Sequence, residues 1–181
     1  MTNYDKVFRG TGFTSTSNTT IKILENHLFC VNIKGYIEKI IGPKDLSYTT
    51  VLAHYKNTNS FYQLKDHQYI LPGFIDLHVH APQWAQSGLA LDIPLYQWLN
   101  EHTFPLESKF SDLGFAKRVY EDLVTTLLAN GTTTVMYFAT IHLEASLLLA
   151  KICVQKGQRG LIGKVVMDDL TQNPSIYRDP S

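Results

Sequence analysis

From residue 74 onward the sequence alternates strand-like with helix-like segments, and that alternation constrains the fold more than any other feature of the chain. Residues 74–80 read as a strand. Residues 112–130 read as a helix, because Ala116, Val119, Tyr120, Leu123 and Leu127 recur at spacings of three and four, and Gly131 stands where a left-handed helix stop belongs. Residues 132–138 are β-branched and aromatic, residues 143–156 read as a second helix closed by Gly157, and residues 161–167 read as a third strand. A β-α-β-α-β order calls for a parallel sheet with crossover helices, and so for an α/β fold.

The residues before this array follow another grammar, β-rich and broken by turns. Val7-Phe8 begins one strand, residues 21–24 form another and residues 27–33 a third. Lys34-Gly35 turns the chain, and residues 36–41 return as a hairpin partner before Gly42-Pro43 stops them. Residues 45–55 are expected to hold a short helix, and residues 61–64 and 68–71 two more strands around a turn at Asp66. The expected organisation is a β-rich accessory domain over residues 1–70 and a strand–helix domain over residues 71–181. Asn173-Pro174-Ser175 and Asp179-Pro180-Ser181 read as turns.

Composition removes several classes of function. The chain carries 16 Lys+Arg against 16 Asp+Glu, and no basic run exceeds the pair Lys117-Arg118, so neither nucleic acid nor an anionic membrane is an expected partner. Its two cysteines, Cys30 and Cys153, are too few for a disulfide framework and read as small buried hydrophobes in a reducing, cytosolic compartment. No apolar run approaches the ~20 residues that span a bilayer. A length of 181 residues also falls short of the ~250 that a complete (β/α)8 barrel takes.

Chemistry enters at the end of the first strand of the array. In residues 74–80 the side chains of Asp76, His78 and His80 share one face, while Ile75, Leu77 and Val79 share the other and are expected to pack against a crossover helix. A rise of ~3.3 Å per residue puts the two histidine Cα atoms roughly 6.6 Å apart, so both rings reach one ion at ~2.0–2.1 Å. His-x-His alone is a weak signal. Its place at the carboxyl end of a parallel strand, where α/β sheets and barrels hold their ligands, strengthens it. The stretch 81–86, with Trp84 among polar residues, follows as a loop over that end. Asp76 is expected either to orient an imidazole or to serve as a polar barrel residue. His142 is expected to cap or support rather than ligate.

The run Leu71-Pro72-Gly73-Phe74-Ile75-Asp76-Leu77-His78-Val79-His80 resembles the first-strand signature of the amidohydrolase superfamily. Within it, the chain is most similar to the guanine deaminase family. His78-Val79-His80-Ala81-Pro82-Gln83, Thr103-Phe104-Pro105-Leu106-Glu107, Asn130-Gly131-Thr132-Thr133-Thr134 and Tyr137-Phe138-Ala139-Thr140-Ile141-His142 resemble successive blocks of that family, and Gly157-Gln158-Arg159 and residues 163–168 continue the match. The resemblance is strong after Tyr69 and weak before it. It implies a small β-sandwich portion followed by the first three or so βα units of an incomplete (β/α)8 barrel.

The same resemblance implies that His78 and His80 bind Zn2+, that Gln83 hydrogen-bonds guanine and that the backbone of Ala81 and Pro82 lies beside the base. Trp98, Phe104 and Phe138 are candidates both for lining the ring pocket and for ordinary core positions. The family's remaining ligands and its proton-shuttling groups are expected beyond Ser181, so no catalytic residue is expected within this chain, which should be inactive alone. The full-length parent is expected to be a homodimer that deaminates guanine to xanthine and ammonia. Two other readings stay open: another deaminase or chlorohydrolase of the superfamily, and a non-catalytic short isoform that binds a partner subunit.

Overall fold

The computed structural model describes residues 3–169, 171 and 173–179. The chain divides into two units at Pro72/Gly73. The first contains β1 (Lys6–Ser15), β2 (Ile21–Val31), β3 (Ile37–Ile41), α1 (Tyr48–Tyr55), β4 (Phe61–Gln63) and β5 (Tyr69–Ile70). They form one five-stranded sheet in the order β3-β2-β1-β4, with β5 also on β1. Val7, Leu28, Cys30, Ile41, Tyr48 and Tyr55 make its buried core.

Several expectations shift here. The strand begun at Val7-Phe8, β1, runs on through Gly10 and Gly12, which serve close packing. A Cβ on Gly10 would stand 2.8 Å from Leu64 Cβ, and one on Gly12 2.5 Å from the Phe29 ring. Residues 21–24 and 27–31 belong to one strand, β2, which stops two residues short of the expected end at Ile33 and in which Asn26 adopts φ 54° beside a register shift between Gly10 and Gly12 of β1. The expected turn at Lys34-Gly35 is present, with Gly35 at φ 81° and β3 returning antiparallel to β2. The expected turn at Asp66 is present, closed by the Gln68 N–H to Lys65 carbonyl bond at 2.9 Å, and the strands on either side of it, β4 and β5, both lie parallel to β1. α1 starts later than residue 45, because the Asp45 carboxylate accepts the Gly42 N–H at 2.6 Å and holds 42–45 as a turn.

The second unit runs β6 (Phe74–His80), a 3-10 turn (Ala81–Gln86), α2 (Leu95–Trp98), a π-turn (Leu99–Thr103), α3 (Phe104–Glu107), a second 3-10 turn (Ser108–Ser111), α4 (Leu113–Ala129), β7 (Thr132–Phe138), α5 (Leu143–Lys156) and β8 (Arg159–Gly163). β6, β7 and β8 form a parallel sheet in that order. The helix ends have local causes. Asp112 caps α4 by accepting the N–H groups of Gly114 and Phe115, and Gly157 ends α5 in the left-handed region at φ 79°. The helical rod 95–111 has no counterpart in the sequence reading, since Pro94 and Pro105 and a crowd of aromatics hide its period.

α4 and α5 bury one face of this sheet. Val135 and Tyr137 of β7 join Leu123 and Val124 of α4 and Leu149 and Ile152 of α5 in a single core, whereas Met136, between them in β7, faces the other way and is exposed. One expectation fails: Ile75 and Leu77 do not pack against a helix. They are 66% and 62% exposed, because β6 is the sheet's edge and only Val79 of its apolar row reaches the core. β8 also starts and ends earlier than residues 161–167. Its five residues pair in step with Thr134–Phe138, and β7 ends at Phe138. The turn near Pro174 is present, with Tyr177 N–H donating to the Pro174 carbonyl at 3.0 Å. Pro180 and Ser181, read as part of a final turn, lie outside the described residues. Among the described residues no helix is long and apolar enough to cross a membrane.

Candidate active site

The carboxyl end of β6 presents His78 and His80 on one face, as the strand's period of two requires, and their Nε2 atoms stand 3.0 Å apart. Two nitrogens at that separation, each ~2.0–2.1 Å from a shared point, subtend about 90° there, an angle open to a divalent cation. Phe138, at the end of the neighbouring β7, supports both rings: its centroid is 4.6 Å from that of His78 and 4.9 Å from that of His80, nearly parallel to the latter at 14°. Burial, and after it the charge of His78, push the His80 pKa down, which favours the neutral imidazole that ligates metals. No third His, Cys, Asp or Glu joins the pair among the described residues. The donor set therefore fits half of a metal site.

Asp76 shares the face but touches neither ring. Its carboxylate accepts the backbone N–H of His78 at 3.1 Å, so it fixes the strand's path where the β6–β7 register shifts between Asp76 and Val79. His142 takes the N-cap position of α5, yet its side chain makes no cap bond; the ring faces the backbone of Glu107 and Ser108, and burial lowers its pKa.

Next along the chain, residues 81–86 form a 3-10 turn rather than an irregular loop. Ala81 and Pro82 are buried at its start, with Ala81 part of the core under α4 and α5. Three side chains pin the turn to three different elements. Gln83 Nε2 donates to Glu107 Oε1 of α3 at 3.0 Å, Trp84 Nε1 donates to Asp122 Oδ2 of α4 at 2.7 Å, and Gln86 Nε2 donates to Thr103 Oγ1 at 2.8 Å. The result is a fixed wall beside the histidines. His78, His80, Gln83 and Trp98 line a common cavity of about 320 Å3.

Of the aromatic candidates, Trp98 thus faces the cavity, Phe138 backs the histidines, and Phe104 stacks on Tyr177 with centroids 5.8 Å apart. The sequence reading assigned no role to Glu107. Its signals there are a lone acid in an apolar segment, Phe104-Pro105-Leu106-Glu107, and the place of that segment among the blocks that resemble the family. The thiols of Cys30 and Cys153 are buried and free, each pushed up to about 11 chiefly by that burial, as expected of inert packing groups.

The chain is similar to known proteins along most of its length. A guanine deaminase of Dictyostelium discoideum is 43% identical over 170 residues, covering 90% of this chain and 38% of that protein. The guanine deaminase of Homo sapiens is 41% identical over 165 residues, covering 90% of this chain and 36% of its own length. Among solved structures, guanine deaminase from C. acetobutylicum, with guanine bound in its active site, superposes with a TM-score of 0.77 at 31% identity, over 96% of this chain and 38% of that one. The chain thus spans well under half the length of these relatives. Residues 69–178, more than half of the sequence and the whole of the histidine-bearing sheet, match the Amidohydrolase family, and the chain belongs to that family.

Proposed function

We propose that this chain supplies half of the metal site and the base-reading turn of a guanine deaminase, which converts guanine and water to xanthine and ammonia. The convergence of His78 and His80 Nε2 at 3.0 Å, beside Gln83 in one cavity, carries the reading. The similarity to guanine deaminases over 90% of the chain supports the choice of substrate. In the same reading the second unit is the first three βα units of a (β/α)8 barrel. The exposure of Ile75 and Leu77 on edge strand β6 fits a sheet that continues on that side. The first unit would then be the accessory β portion, and the working protein a cytosolic homodimer.

The residues divide the work by their chemistry. His78 and His80 would hold the ion, with Phe138 supporting both rings. When bound, zinc supplies the Lewis acidity that brings the pKa of a water near neutrality. Gln83 offers a planar amide to the edge of the purine, and its attachment to α3 holds it in place before substrate arrives. Ala81 and Pro82, buried at the start of the turn, carry the chain from His80 to Gln83, and Trp98 lines the same cavity.

The test compares two variants in the full-length protein that carries this chain. His78→Ala is expected to lose zinc and turnover together, while Gln83→Ala keeps zinc and raises the KM for guanine. Metal analysis and kinetics on the same preparations read both. Equal zinc loss in the two variants, or no guanine turnover by the wild type, overturns the reading.

A further inference from the structure

Glu107 is the one acidic side chain among the buried residues of the second unit, at 5% exposure, and neither ion pair found among the described residues, Lys117–Glu121 and Lys164–Asp179, involves it. A buried carboxylate without a cation is costly, and here only neutral donors offset the cost: the Gln83 amide at 3.0 Å and the Tyr177 hydroxyl, which itself accepts the Ile141 N–H at 3.2 Å. Burial pushes the Glu107 pKa up, and the two hydrogen bonds pull it partly back. A glutamine at 107 would fill the same space without a buried charge. The carboxylate does one thing that an amide does not: it only accepts, so it admits the nitrogen end of Gln83 and refuses the oxygen end.

We propose that Glu107 is a positioning residue that fixes the direction of the Gln83 amide, with Nε2 held inward on the carboxylate and Oε1 turned out as an acceptor for an N–H group of the substrate. His80 Nδ1 lies 3.4 Å from the same Nε2, but the charge-assisted bond at 3.0 Å is the shorter and the stronger, so Glu107 decides the orientation. The inference rests on the guanine deaminase reading and adds a selection rule to it. Gln83 recognises a ring edge that carries N–H donors, as guanine's N1 and 2-amino group do, and disfavours an edge that presents only acceptors.

The experiment is a double-mutant cycle in the zinc-loaded, full-length protein, using Glu107→Gln, Gln83→Ala and the two combined. Glu107→Gln lets the Gln83 amide turn either way and is expected to raise the guanine KM about tenfold, with zinc content unchanged and the effect on KM exceeding that on kcat. In the Gln83→Ala background the same change is expected to move KM less than about twofold, since its target is gone. An equal, tenfold effect in both backgrounds overturns the proposal, as does an unchanged KM or a loss of zinc in Glu107→Gln. If Glu107→Gln does not accumulate as folded protein, Glu107→Asp carries the test. It keeps the acceptor but withdraws it by a methylene, and its KM effect must again vanish in the Gln83→Ala background. A wild type that turns over no guanine defeats the functional reading; a wild type that does so with additive mutants defeats only this inference.

Discussion

Gly73→Ala places a methyl group against the partner strand of the histidine-bearing β6. The added Cβ would stand 2.7 Å from Thr133 Cβ and closer still to its Oγ1 and Cγ2. A Cβ is anchored to the backbone, so rotating the Thr133 side chain cannot relieve the whole overlap, and β6 must move relative to β7. Among the described residues β7 is the only strand that β6 pairs with, and the Phe74 N–H to Gly131 carbonyl bond, 2.8 Å long, lies beside the clash. Overpacking of this kind costs about 1–3 kcal/mol, and the immovable Cβ puts this case in the upper part of that range. The assay is urea denaturation followed by tryptophan fluorescence, since both tryptophans, Trp84 and Trp98, lie in the second unit. Thr133→Gly removes the obstructing atoms. It weakens the strand by roughly 1 kcal/mol itself but should cancel most of the Gly73→Ala penalty, a coupling of about 1–2 kcal/mol. A Gly73→Ala cost within about 0.5 kcal/mol, or the same cost with and without Thr133, refutes the steric argument.

Two further outcomes follow from local features. Asp112→Ala removes the acceptor for the Gly114 and Phe115 N–H groups at the start of α4 and is expected to cost about 1 kcal/mol in the same denaturation assay; a neutral result would show that the cap contributes nothing. His80 has its pKa lowered in the fold, so the unfolded chain takes up its proton first, near pH ~6.5, and the contribution of His80 to stability is full above that value and lost as pH falls through the lowered one. Metal-free wild type should therefore lose stability relative to His80→Asn on acidification below about pH 6.5, and a relative gain would contradict the sign.

The strand–helix order of the second unit was legible because its signals are local. Period-two alternation marks β6, the recurrence of Ala116, Val119, Tyr120 and Leu123 marks α4, and Gly157 marks the end of α5. What the sequence concealed depends on distant partners. Gly10 and Gly12 carry no local signal of their role, and only the approach of Leu64 and Phe29 reveals them as packing sites in a long strand. The exposure of Ile75 and Leu77 follows from the edge position of β6, which no alternation encodes. Within the site, the convergence of His78 and His80 was legible from their spacing, and resemblance alone singled out Gln83. The link of Glu107 to Gln83 was not legible, although Glu107 stands in a block that resembles the family, because it is a hydrogen bond between residues 24 positions apart.

The central claim is that the imidazoles of positions 78 and 80 grip one divalent cation through their Nε2 atoms. Anomalous diffraction at the zinc edge from the full-length protein tests it directly. The account predicts a single strong peak ~2.0–2.1 Å from both Nε2 atoms. A peak elsewhere, with both rings turned away from it, would contradict the account.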